Sequence, residues 1–91
     1  MKPLESAVCP LCGAASERRE LRSGNGFSYR CTACGGGIFE VGTGALARLQ
    51  RDGVHPDLPP SIRRWLQDGR RPRIELREGH LTAFCLPVPR D

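Results

Sequence analysis

Cys9-Pro10-Leu11-Cys12-Gly13 and Cys31-Thr32-Ala33-Cys34-Gly35 are two copies of one short pattern, a cysteine pair with a two-residue gap closed by glycine. Eighteen residues separate the pairs. A two-residue gap lets both thiolates of a pair reach one ion from a tight turn, and the spacing between pairs falls in the range that reads as zinc. Four thiolates at about 2.3 Å close a tetrahedral site, which makes it structural rather than catalytic. Glycine after the second cysteine can take positive φ and lets backbone N–H groups approach the sulfurs. Cys9, Cys12, Cys31 and Cys34 are the candidate ligands of one zinc ion per chain.

Three other uses of paired cysteines compete with this one. A disulfide framework belongs to an oxidising compartment, and Met1-Lys2-Pro3-Leu4-Glu5 leads into no apolar leader segment. The expected location is the cytoplasm, where thiols stay reduced and available to metal. A dithiol redox motif calls for one C-x-x-C near a βαβ pattern, and two matched pairs argue against it. Iron in a rubredoxin-like site is the remaining rival, because a tetrahedral sulfur site accepts either metal. Rubredoxins are acidic, with aromatic rings packed round the iron; this chain carries a net charge of +4 and only five aromatic residues.

Over residues 8–41 the chain resembles the zinc ribbon family through the two C-x-x-C-G knuckles. The resemblance implies a short antiparallel β unit gripping one zinc. It does not fix a function, because ribbons occur in transcription factors, ribosomal proteins, helicases, methyltransferases and adaptors. Cys9-Pro10-Leu11-Cys12 with Ser28-Tyr29-Arg30-Cys31 is also similar to the amino-terminal ribbon of some ribosomal RNA guanine methyltransferases. Those often have histidine where this chain has Cys34, and no methyltransferase nucleotide-binding region follows here, so the resemblance implies RNA rather than methyl transfer.

Outside the cysteines the chain divides into residues 1–7, expected as a flexible tail, residues 8–41, the ribbon, and residues 42–91, a helix pair followed by a hairpin and expected to pack with the ribbon as one small domain. The expected fold class is α+β. Within the ribbon, Arg18–Arg22 reads as a strand, Asn25-Gly26 as a type I′ turn, and Phe27–Cys31 as the return strand. Ile38–Val41 gives a third strand. The preceding Gly35-Gly36-Gly37 lacks the Lys-Ser/Thr of a phosphate loop. Thr43 is the expected N-cap of a helix ending before Gly53, with Ala45, Leu46 and Leu49 on its apolar stripe. A second helix is expected over Ser61–Asp68, where Ile62, Trp65 and Leu66 face one way and Trp65 joins the core. Arg73–Arg77 and His80–Leu86 form a hairpin through Glu78-Gly79, pairing Ile74 with Ala83 and Leu76 with Leu81. That register puts Cys85 on the apolar face, where it is expected to be a small buried hydrophobe rather than a ligand or nucleophile.

Catalysis finds little support. His55 and His80 are the only side chains that titrate ordinarily near neutral pH, and a closed metal site offers no position for water. The expectation is a non-enzymatic binding module. No run approaches the length of a membrane span. Thirteen of the fourteen basic residues are arginine, the side chain suited to bidentate phosphate contacts, although a GC-rich genome gives the same bias. The two candidate partners are nucleic acid and another protein. For nucleic acid, Arg63, Arg64, Arg70, Arg71 and Arg73 provide the densest basic stretch, with others around the first hairpin. Tyr29 is either core beside the metal or a platform for an unpaired base, and it stands with these arginines as a candidate contact.

Overall fold

The computed structural model describes residues 2–87. Pro89 and the other residues of 88–91 lie outside them, as does Met1. The expected α+β class holds. Two helices accompany one six-stranded sheet whose strand order follows the chain from β1 to β6. The strands are β1 (Leu4–Val8), β2 (Ala15–Glu20), β3 (Phe27–Arg30), β4 (Ile38–Val41), β5 (Arg71–Arg77) and β6 (His80–Leu86). The helices, α1 (Thr43–Asp52) and α2 (Leu58–Gln67), both connect β4 to β5.

The first seven residues depart from expectation. Residues 4–8 form an edge strand, paired antiparallel with β2 from Leu4↔Arg19 to Val8↔Ala15. The reason lies in the first cysteine pair. Cys9–Ala14 is the turn of this hairpin, closed by a hydrogen bond from the Cys9 N–H to the Ala14 carbonyl at 2.8 Å. Residues just before the knuckle are thereby laid beside those just after it. Arg18 fastens the strand by donating to Glu5 at 2.8 Å.

The second turn also differs. Ser23-Gly24-Asn25-Gly26 is not a two-residue type I′ connection, which needs positive φ at both central residues. Positive φ falls on Gly24 and Gly26 but not on Asn25. The loop is six residues, Leu21 to Gly26, closed by the Leu21 N–H on the Gly26 carbonyl. The β2 strand therefore ends at Glu20, two residues before the expected limit. Gly26 has φ +131, and a Cβ there would collide with the Val41 carbonyl oxygen, so no other residue fits without backbone movement.

The pairing that sequence patterning does not reveal is β4 with β5. These strands run parallel, with Glu40↔Arg73 and Val41↔Ile74 as partners. A parallel pair needs a crossover of a dozen or more residues, and α1 and α2 supply it. Opposite residues share a face, so Tyr29, Phe39, Val41 and Ile74 all point to the helix side of the sheet. Tyr29 and Phe39 stack there with centroids 5.6 Å apart. Ala45, Leu46 and Leu49 of α1 and Ile62 and Leu66 of α2 complete this core. Helix α1 starts with Gly42 at the cap position and Thr43 as its first residue, one step earlier than the expected Thr43 cap. Helix α2 starts at Leu58, because Pro59 and Pro60 occupy its first turn, where a missing N–H is no loss.

Trp65 is half-buried at the rim of this core, not inside it; Ile62 and Leu66 fill the inner stripe of α2. The last hairpin follows the expected register, Ile74↔Ala83 and Leu76↔Leu81. Its turn has φ +51 at Glu78 and +81 at Gly79. Cys85 lies opposite Pro72 and is half-exposed rather than buried, since β6 is an edge strand.

Candidate metal centre

Both cysteine pairs lie in turns at the same end of the sheet. The first joins β1 to β2; the second, between β3 and β4, includes a 3₁₀ turn over Thr32–Cys34. Three adjacent antiparallel pairings thus place the two knuckles side by side. In the second knuckle the Cys34 and Gly36 N–H groups both donate to the Cys31 carbonyl, at 3.1 and 3.0 Å. Gly35 caps the turn with φ +115, the left-handed region that its missing Cβ makes accessible.

The four sulfurs converge. All lie within 4.8 Å of one another. Cys9 Sγ and Cys34 Sγ are 3.8 Å apart, and Cys12 Sγ and Cys31 Sγ 3.5 Å. These separations are far beyond the ~2.05 Å of a disulfide bond. They sit close to the ~3.8 Å edge of a tetrahedron with metal–sulfur arms of about 2.3 Å. Donor set and geometry fit a metal ion such as zinc held by four thiolates. Cys9, Cys31 and Cys34 are buried, and Cys12 is the member of the cluster that reaches the surface.

The electrostatics are those of a site that wants a cation. Burial pushes the Cys9 thiol up to about 11, against the opposing effect of the Leu11 and Cys12 N–H groups on its sulfur. Burial likewise pushes Cys34 up, helped by the neighbouring thiols. At Cys12 burial is the largest single effect and raises the thiol, but the Ala14 N–H and the three other cysteines together outweigh it, and its thiol falls below the ordinary value. One sulfur poised to ionise beside buried ones that resist it is what a metal-free cluster of four thiols should look like. A divalent ion removes the penalty by replacing the protons.

The arginines sort into two populations. Arg73 is bound on both sides, to Glu40 at 2.7 Å and Glu75 at 2.6 Å, and is largely covered. This corrects its assignment as a nucleic-acid contact: its charge clamps β4 to β5. Tyr29 is corrected too. Only 1% of it is exposed, its ring stacks on Phe39, and its hydroxyl accepts from Arg18, so no base can reach it. Arg63 and Arg64 are exposed on α2. Arg64 borders a hollow of about 450 Å³ with Trp65, but Asp57 lines the same hollow and leaves it without a charge bias.

Arg70 and Arg71 meet a residue that lies outside the densest basic stretch. Together with Arg30 they line a cleft of about 360 Å³ between the second knuckle and the α2–β5 connection. Gly36, Gly37 and Gly69 provide glycine backbone along it. A signal for Arg30 is present in the sequence: it directly precedes Cys31 and alternates with Tyr29, so it must face away from the helices at the metal end. His55 and His80 are both exposed, and His55 Nδ1 accepts the Asp57 N–H at 3.1 Å. Among the described residues no helix is long and apolar enough to cross a membrane. Comparisons of the chain with protein-family models, with curated proteins and with solved structures return no match.

Proposed function

We propose that the chain is a non-enzymatic binding module built on a zinc ribbon, with one structural zinc on Cys9, Cys12, Cys31 and Cys34, and that it binds nucleic acid through arginines. The metal reading rests on four sulfurs within 4.8 Å of one another, two pairs of them close to the edge length of a tetrahedral site. A closed four-thiolate site has no open position for a reacting water, which supports a structural role.

The observation that carries the nucleic-acid reading is the sorting of charges. Carboxylates neutralise Arg18, Arg48, Arg51, Arg73 and Arg77. Among the described residues, Arg19, Arg22, Arg30, Arg63, Arg64, Arg70 and Arg71 have no carboxylate within ion-pair distance. Guanidinium groups left without acidic partners suit phosphate. The test is titration with DNA and RNA at low and moderate salt. Affinity that falls steeply with salt supports the reading, and no salt-sensitive binding removes it.

A protein partner is the second reading, favoured by the exposed apolar residues Leu4 and Val8 on the edge strand β1. An edge strand can accept another strand. Light scattering and pull-down address this, and a chain that stays monomeric and retains nothing counts against it. A cytoplasmic setting goes with either reading, because four reduced thiols are what the metal requires.

A further inference from the structure

The cleft beside the second knuckle continues onto the sheet face that the helices leave open. Arg30 and Ile38 line both the 360 Å³ cleft and a second hollow of about 110 Å³, which adds Leu4, Arg19 and Ser28. Register explains why these residues meet. Leu4↔Arg19, Arg19↔Ser28 and Arg30↔Ile38 are cross-strand partners, so their side chains share the face opposite Tyr29 and Phe39. Arg71 begins β5 on this same face, two residues before Arg73.

The charge of this strip is one-sided. Arg19, Arg30, Arg70 and Arg71 border it, and Glu17 is the one acidic residue on the two linings. Arg19 Nε is buried and has no hydrogen-bond partner among the described residues. A buried, unmet donor is costly, and an incoming acceptor relieves that cost. Glycine backbone at Gly36, Gly37 and Gly69 lets a ligand come close, and Leu4 and Ile38 give apolar surface between the charges.

We propose that Arg19, Arg30, Arg70 and Arg71 hold the phosphates of a single-stranded nucleic acid laid across the open sheet face, with one phosphate seated in the glycine-lined cleft. This rests on the nucleic-acid reading above and assigns it a face and a strandedness. Alternating cations and apolar patches in a groove match a strand whose phosphates and unstacked bases are both exposed. Guanidinium planes and aliphatic side chains serve as surfaces for the bases. A duplex keeps its bases stacked inside, out of reach of the apolar surface that Leu4 and Ile38 offer between the charges.

Fluorescence anisotropy decides it. The probes are a labelled mixed-sequence RNA strand and the matching DNA strand, on the order of ten nucleotides, and the duplex of each. They are titrated with metal-loaded protein at about 50 mM and about 200 mM salt. Wild type should bind the strands at least about tenfold more tightly than the duplexes. The Arg30→Gln/Arg71→Gln variant should lose roughly tenfold or more and reduce the salt slope by about two, one for each phosphate contact removed. Arg70→Gln, on an exposed turn, should show a smaller loss of the same kind even if the double variant is unstable. Arg63→Gln/Arg64→Gln, on α2 and off this face, should lose clearly less than Arg30→Gln/Arg71→Gln. Strand binding lost in the α2 variant but kept in the other two overturns the location. Tighter binding of duplex overturns the strandedness. No salt-sensitive binding of any probe overturns the underlying reading, and this proposal with it.

Discussion

Cys31 is completely buried and Cys85 is half-exposed, although both end a strand pattern that alternates with apolar residues. The difference is that three other sulfurs surround Cys31. Replacing it should therefore be felt at the metal and at the fold. Cys31→Ser should lower bound metal and the thermal midpoint together, whereas Cys85→Ser should leave metal content unchanged; elemental analysis and calorimetry check both. Metal uptake should also depend on pH. Ligands must be deprotonated to bind, and burial holds Cys9 at about 11 and Cys34 above its ordinary value in the metal-free cluster. Protons therefore compete with the ion across the neutral range, and apparent affinity should rise with pH. Chelator competition at about pH 6 and about pH 8 measures it; equal affinities would contradict the assignment of buried thiols as ligands. That these four cysteines come together was readable from spacing alone. Tyr29 and Arg73 were not correctly readable as contacts, because neither burial nor the pairing of Arg73 with Glu40, far away in sequence, is local information.

At the scale of elements, the register of the last hairpin was legible to the residue, because alternation and a two-residue turn together leave one pairing, although β5 begins at Arg71 rather than at the expected Arg73. Its turn still carries strain. Glu78 sits at φ +51, a region that costs non-glycine residues about 1–2 kcal/mol. Glu78→Asn, which tolerates that conformation better, should stabilise the protein by up to about 1 kcal/mol in chemical denaturation. The parallel β4–β5 pair was not legible. Ile38–Val41 is four residues long, and its alternation says which face is buried but not which strand lies alongside. What holds the pair is visible only in three dimensions. Arg73 donates to Glu40 across it and to Glu75 along it. Arg73→Ala should destabilise by about 2 kcal/mol, since it strips charged hydrogen bonds from partly covered carboxylates. The Arg73 guanidinium holds the Glu75 carboxyl below its usual value, aided by Arg77 and opposed by slight burial. With a depressed folded value, this contribution is present above the unfolded carboxylate range near 4.5 and is lost as pH falls through the lower folded value. The Arg73→Ala variant should therefore lose less stability on acidification than wild type.

The whole molecule joins an end where four sulfurs cluster to a helix-covered sheet through one run of strands. The sequence divides at about residue 41, where cysteine knuckles give way to amphipathic helices, and nothing local indicates that the same sheet resumes at Arg71. That resumption brings Arg71 beside Arg30 and forms the cleft. It also ties the cleft to the cysteine cluster, because Arg30 precedes Cys31 and Gly36 and Gly37 follow Cys34. On this account the metal sets the shape of one cleft wall while the helices set the other. The measurement that tests the central claim most directly is the metal content of the purified chain by inductively coupled plasma mass spectrometry, with Cys31→Ser alongside. The account predicts about one zinc per wild-type chain, little iron, and a clear fall in the variant. Iron in place of zinc, or a folded wild-type protein that holds no metal, would contradict it.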